Sequence, residues 1–256
     1  MAQGIIAMRV LHLLGVAGFA VTLSGPALAT TYNAVTDFSA TNNPTGVWSY
    51  RQGDGTLLTG TATISAGSLP YWGNNSSYPN GTYVVDNNTA TNYQNGTVYY
   101  RANDITIDGQ SVGATVRFIA PTAGSYTVNG EFQANDVSTH PHTVQIMLNG
   151  ATSEFSATTP ASYTAPGDTF SFVVSLAASN FLDFSTVFSG DATYQSTGLA
   201  ATVTGPAGPA GVPEPGSLAL LGAGLLGLIG TQALRKHPPR SACPGIPEER
   251  VVLSLA

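Results

Sequence analysis

In the middle of the chain, carboxylates are the most numerous side chains of a type that could take part in catalysis or metal binding. Between Thr30 and Thr204 there are eleven Asp and Glu residues against three Arg and no Lys. Two carboxylates can hydrolyse a glycosidic bond as an acid and base pair, but spacing selects no pair among eleven. The segment also lacks G-x-S-x-G, H-E-x-x-H and phosphate-binding Gly-rich motifs. We therefore expect no enzymatic activity, with a surface glycan hydrolase or lyase as the alternative.

Oxygen donors make a structural calcium ion the candidate metal. Asp104 and Asp108 lie four residues apart in this acidic segment, and Ca²⁺ prefers carboxylate oxygens. No D-x-D-x-D-G loop is present, so Asp104 and Asp108 are weak calcium candidates, and no other cofactor is expected. His140 and His142 could share a metal, but no third ligand is visible by spacing, which favours a solvated loop.

Aromatic side chains provide the binding hypothesis. Nine Trp and Tyr residues lie between Trp48 and Tyr100, among many Asn residues. Flat apolar rings beside amide groups suit a polysaccharide, although the same rings could instead fill a core. The candidate glycan-binding residues are Trp48, Tyr50, Tyr71 and Trp72.

Period-two alternation of apolar residues predicts the elements that must position these side chains. It indicates antiparallel strands covered on one face, with turns at 120–124, 149–150 and 165–168. The stretch 53–103 is expected to hold long loops and short strands. We predict an all-β fold, an antiparallel β-sandwich or jelly roll over 30–204. The alternating apolar residues are Val116, Phe118, Tyr126, Val128, Phe132, Val144, Ile146, Leu148, Phe170, Phe172, Val174, Leu176, Leu182 and Phe184.

The composition excludes several classes of protein. Only 9% of the residues are charged and one is a cysteine, which excludes a disulfide scaffold and a coiled coil. The net charge of −6 leaves no basic stripe for a phosphate backbone, so nucleic acid is excluded as a partner.

The N-terminus reads as a secretory signal peptide over residues 1–29. Arg9 precedes an apolar run, and Ala27 and Ala29 form an A-x-A site that predicts cleavage before Thr30. The start codon is either Met1 or Met8, because Met8 directly before Arg9 gives the more usual n-region.

The C-terminal region has the order of elements of a membrane segment. A Gly/Pro linker at 205–216 precedes an apolar stretch and basic cap at 217–240, followed by a tail at 241–256 that we expect to be disordered. Eighteen apolar residues reach about 27 Å as a helix, enough for a bilayer core. The basic cap is expected to stay in the cytoplasm, which places residues 30–216 outside the inner membrane.

The string Val212-Pro213-Glu214-Pro215, with the apolar span and basic cap behind it, resembles the PEP-CTERM sorting signal of Gram-negative bacteria. That resemblance implies an exosortase as partner, an inner-membrane precursor, and a final place at the cell surface or in an exopolysaccharide-rich biofilm matrix. The body resembles jelly-roll domains of such exported proteins, which are similar to carbohydrate-binding modules. The implied role is binding exopolysaccharide, with a self-assembling structural matrix protein as a further alternative.

We predict a mature protein that begins at Thr30 and ends near Pro213 to Pro215. Intact mass and cell fractionation should find this form in the normal host and lose it in a host without its exosortase. A full-length C-terminus in the inner membrane of both hosts would make residues 217–234 an ordinary anchor.

Overall fold

The computed structural model describes residues 29–64, 66–74, 81–109, 112–137, 140–188, 190 and 193–206. The predicted sorting signal, apolar span and tail lie outside the described residues, as does all of the predicted signal peptide except Ala29. In the part of the chain that is described, no helix is long and apolar enough to cross a membrane.

Fifteen strands form the described fold, which confirms the predicted all-β class. Their bounds are β1 Thr30–Asn33, β2 Trp48–Gln52, β3 Gly60–Thr63, β4 Pro70–Gly73, β5 Tyr83–Asn87, β6 Tyr93–Asn95, β7 Val98–Tyr100, β8 Asp104–Asp108, β9 Ala114–Ile119, β10 Gly124–Ala134, β11 Thr143–Leu148, β12 Thr152–Thr158, β13 Asp168–Leu176, β14 Phe181–Thr186 and β15 Thr197–Gly205. Sheet A has the strand order β13-β10-β15-β8-β5-β4-β3, with β1 also pairing with β15. Sheet B has the strand order β12-β11-β14-β9-β2, and β6 and β7 form a separate hairpin.

The main core lies between the two sheets and is built by the predicted alternation. On β9, Val116 and Phe118 are fully buried while Arg117 between them faces outward, because successive side chains of a strand point to opposite faces. The same pattern holds along β10, β11, β13 and β14, as predicted. A second, smaller cluster, which includes Tyr71 and Tyr83, covers the outer face of sheet A near β4 and β5.

Strand register places the longer connections at one end of the sandwich. Thr197, at the start of β15, pairs with Ile107 near the end of β8 and with Ala134 at the end of β10. In sheet B, Ser185 near the end of β14 pairs with Thr115 near the start of β9. We call this the loop end, made by residues 53–59, 109, 112–113, 135–137, 140–142, 159–167, 187–188, 190 and 193–196. The opposite, short-turn end carries the turns 120–123, 149–151 and 177–180.

Several carboxylates are buried in sheet A. Asp104 and Asp108 lie on the face of β8 that turns away from the main core, and Asp108 Oδ2 accepts hydrogen bonds from Tyr83 Oη and Ser196 Oγ. Burial raises the pKa of Asp104 to about 7 and that of Asp108 to about 6, because the charged form is poorly solvated there. Asp86 on β5 is also buried, and burial raises its pKa to about 7.

The raised carboxyl pKa values predict a folded state that loses stability as pH rises from about 4 to 7. In that window the folded protein binds more protons than the unfolded chain, so the free energy of unfolding falls with pH. Burial lowers the pKa of His142, which acts in the opposite direction. The contribution of Asp108 is therefore isolated by comparing the free energy of unfolding in urea of the native protein with that of Asp108→Asn. The native protein should lose stability relative to the variant between pH 4 and 6.5, and a constant difference would contradict this assignment.

Candidate functional site

The four predicted glycan-binding aromatics are buried. Trp48, Tyr50 and Trp72 belong to the main core, and Tyr71 belongs to the second cluster, with at most 6% of any of these side chains exposed. Trp72 Nε1 donates to the Ser39 carbonyl oxygen at 2.7 Å, so its one polar atom is satisfied within the protein. A ring must be exposed to stack on a sugar. The prediction that these four residues form a binding platform is therefore wrong.

The two calcium candidates are not brought together. Asp104 and Asp108 stand at opposite ends of β8, about 13 Å apart along the strand. Asp104 Oδ2 contacts Asn135 Nδ2 at 3.3 Å, while Asp108 binds the hydroxyls named above. Within the described residues, no group of three or more His, Cys, Asp or Glu side chains could hold a metal ion. A single calcium ion therefore does not join these two carboxylates.

The two histidines also have different surroundings. His142 is buried, and its Nε2 lies 2.6 Å from Thr197 Oγ1. His140 is exposed, and its ring packs edge-on against Tyr194 at 5.4 Å between centroids. His140 therefore fits the solvated loop expected for this segment, whereas the buried ring of His142 does not.

Exposed apolar side chains concentrate at the loop end. Among the described residues, five large hydrophobic side chains are exposed, and four of them lie in the connections of this end. Apolar groups kept in water by loops on a rigid scaffold are typical of binding surfaces. These four residues are Val112, Val137, Phe188 and Tyr194.

A groove of about 410 Å³ opens beside two of these side chains. Its floor is formed by Thr115, Gln145 and Ser185 of sheet B, and its rim includes Val112 and Phe188. The ring of Phe188 is 38% exposed. The groove therefore combines hydrogen-bonding groups on its floor with an accessible aromatic ring at its edge.

Register extends the groove floor into a row of polar side chains across all five strands of sheet B. Arg51 pairs with Thr115, Thr115 with Ser185, Ser185 with Gln145, and Gln145 with Ser156. Neighbouring strands lie about 4.8 Å apart, so this polar row measures about 19 Å. Its members offer both donors and acceptors. The row can therefore meet a ligand that carries hydroxyl groups at many positions.

A rigid ion pair lies in the adjacent row of the same face. Arg117 donates from Nε and Nη2 to the two carboxylate oxygens of Asp183, at 2.7 and 2.8 Å. Its guanidinium lies 3.6 Å from the centroid of the Phe181 ring. Bidentate pairing and stacking hold the guanidinium in one orientation. The pair therefore presents fixed polar groups at the surface of sheet B.

Arg51, at the end of the polar row, is held differently. Its Nε donates to Ser49 Oγ at 2.9 Å and its Nη1 donates to the Gly55 carbonyl oxygen at 2.7 Å. Burial, followed by the neighbouring charge of Arg117, lowers the pKa of Arg51, but a guanidinium stays charged at any physiological pH. The Arg117–Asp183 pair is the one salt bridge found among the described residues. Arg51 therefore forms no salt bridge with a described carboxylate.

A pair of carboxylates does line one further small cavity. Asp104 and Glu131 border a space of about 50 Å³ on the outer side of sheet A, together with Arg101. This space is far smaller than the cleft that the hydrolase alternative requires.

Phe188 and the polar row are not among the site residues that the sequence predicted. Phe188 follows the last residue of β14 by two positions, so it belongs to no alternating pattern. Gln145 and Ser185 alternate with buried Ile146 and Phe184, which indicates their outward direction. The pairing of Gln145 with Ser185 depends on strand order, which local periodicity does not contain.

A family comparison confirms the sorting signal. The PEP-CTERM protein-sorting motif matches residues 211–236, as the Val-Pro-Glu-Pro string predicted. This motif marks the chain as an exported protein that is anchored transiently in the membrane, consistent with an exosortase substrate. No curated protein matches the chain.

Solved structures with a similar arrangement include carbohydrate-binding modules. A family 35 module from Clostridium thermocellum is 14% identical, with 62% of this chain and 98% of that chain covered and a TM-score of 0.29. A family 35 module from Cellvibrio japonicus is 16% identical, with 64% and 99% covered and a TM-score of 0.30. A Podospora anserina mannanase carrying such a module is 15% identical, with 72% and 29% covered and a TM-score of 0.30.

Truncating one core aromatic and one rim aromatic should separate their roles. Trp48→Ala removes a buried ring and should lower the free energy of unfolding by about 3–5 kcal/mol. Phe188→Ala removes a ring that stands partly in water, and should change it by no more than about 0.5 kcal/mol. Urea unfolding at one pH measures both. Equal losses in the two variants would show that Phe188 is a packing residue.

Proposed function

We propose that this chain is an exported, non-catalytic protein that an exosortase processes and that binds exopolysaccharide at the cell surface or in the extracellular matrix. The ligand lies in the loop-end groove and follows the polar row across sheet B. The single observation that carries the proposal is the exposed ring of Phe188 beside a floor made of Thr115, Gln145 and Ser185.

The chemistry of the groove suits a neutral sugar chain. Sugar rings have an apolar face and a rim of hydroxyls, so they need an aromatic surface together with donors and acceptors. Phe188 supplies the ring, and the Gln145 amide supplies both kinds of hydrogen-bonding group. The groups on the sheet are held by backbone pairing, which reduces the entropy lost on binding.

The hydrolase alternative fits the groove less well. Asp54 is the one carboxylate among the described residues that line the groove. The nearby Asp183 forms a salt bridge with Arg117. A glycosidase needs a carboxylic acid and a second carboxylate about 5–10 Å apart across the bond that breaks. The described groove supports recognition without supplying that pair.

Binding is tested with exopolysaccharide isolated from the host and with a panel of purified neutral polysaccharides, by affinity electrophoresis. Phe188→Ala and Gln145→Ala should each weaken binding about tenfold, which corresponds to about 1.4 kcal/mol. Thr202→Ala is the matched control, because Thr202 is a partly exposed polar residue on the outer face of sheet A. It should bind as the native protein does.

Two results would overturn the proposal. Unchanged binding in both groove variants would move the site elsewhere on the protein. Release of reducing sugars from the bound polysaccharide would replace binding by hydrolysis. Because the sorting motif is independent of the groove, neither result alters the assignment as an exported protein.

A further inference from the structure

The strand β13 forms an open edge of sheet A. Within the described residues it pairs only with β10, on one side. Natural proteins commonly block an edge strand with charge, proline, a bulge or a short length. This strand has nine residues, and those from Thr169 to Leu176 include no charge and no proline. Its register with β10 continues without a shift, so none of these four devices protects the edge from Thr169 to Leu176.

Val173 stands at the centre of this edge and is 66% exposed, more than any other large hydrophobic side chain among the described residues. The residues around it repeat in mirror order, with a serine two positions away on each side and apolar residues between and beyond. Phe172, next to Val173, is packed against the main core but only partly covered. The mirrored run is Phe170-Ser171-Phe172-Val173-Val174-Ser175-Leu176.

We propose that two copies of this chain associate through β13, as antiparallel strands related by a two-fold axis at Val173. A two-fold interface brings residue i of one copy opposite residue j of the other and j opposite i. The mirrored run then pairs Val173 with itself and Ser171 with Ser175. Phe172 meets Val174, so apolar side chains face apolar side chains on the inner side and the serines match on the outer side.

Charge also permits this pairing. Asp168, the charged residue of β13, lies opposite position 178 of the second copy, beyond the end of the paired strand. The two Asp168 carboxylates therefore stand at opposite ends of the contact. The other described edges of the two large sheets are less suitable, because β12 carries Glu154, β1 and β3 have four residues each, and Arg51 on β2 already bridges to Leu57.

The pairing has a directional consequence. Antiparallel contact reverses one copy relative to the other along the strand axis, so the two loop ends point in opposite directions. If the groove binds polysaccharide as proposed above, the dimer can hold two chains at once and gain avidity from the linkage. The dimer itself is inferred from β13 alone and stands whether or not the groove binds sugar.

The oligomeric state is measured by sedimentation velocity on the chain produced in full in an exosortase-bearing host. The native protein should sediment as a concentration-dependent dimer. Val173→Lys, which places a charge at the centre of the edge, should sediment as a monomer. Thr202→Lys adds the same charge to the same face two strands further in, and should remain a dimer.

Cross-linking tests the geometry directly. With Cys243 replaced by Ser, Val173→Cys should form an intermolecular disulfide under mild oxidation, since paired residues lie about 4.5–5.5 Å apart between Cα atoms, within disulfide range. Thr202→Cys in the same background should stay reduced. The proposal is overturned if the native chain is a monomer at all concentrations measured, if folded Val173→Lys remains a dimer, or if Val173→Cys and Thr202→Cys cross-link equally.

Discussion

Packing of aromatic and aliphatic side chains between the two sheets is the interaction on which the rest of this structure depends. The chain has few charges, and among its described residues one salt bridge is found, so apolar burial must supply most of its stability. That demand draws Trp48, Tyr50 and Trp72 into the main core. Outside the second cluster, the outer faces of the sheets carry mainly polar side chains. Four of the five exposed large hydrophobic side chains among the described residues lie in the connections of the loop end.

Local periodicity predicted much of this arrangement, and its failures have physical causes. The strands containing Val116 and Phe184 were predicted because each has one buried, apolar face and one polar face turned to solvent. The same reasoning applies to Trp48-Ser49-Tyr50, where a polar residue between two rings already indicates that both rings point inward. Tyr71 and Trp72 are adjacent, so they point to opposite sides of β4, and both are buried because this strand is covered on both faces. That second covering comes from nearby residues such as Leu69 and also from Tyr100, which follows in a later strand.

The acidic residues show a comparable limit of prediction from sequence. Composition identifies an acidic protein, but it does not show that Asp86, Asp104 and Asp108 are withdrawn from water. Asp108 is stabilised by hydroxyl donors from Tyr83 and Ser196, which lie 25 and 88 residues away in sequence. These hydrogen bonds favour the ionised carboxylate, but burial outweighs them and leaves the pKa of Asp108 raised to about 6. The formal charge counted from the sequence therefore overstates the negative charge that the folded protein carries near neutral pH.

The positions of Thr30 and Gly205, where the first and last strands of the sandwich begin and end, determine how the domain responds to force. Thr30 pairs with Gly205, so the chain enters and leaves the sandwich side by side at the short-turn end, opposite the groove. A pull applied between the loop end and the chain leaving at Pro206 runs along β15. The hydrogen bonds that join β15 to β10, β8 and β1 lie across that direction, so they are loaded together in shear. Separation then requires many bonds to break at once, which makes this attachment suited to bearing mechanical load.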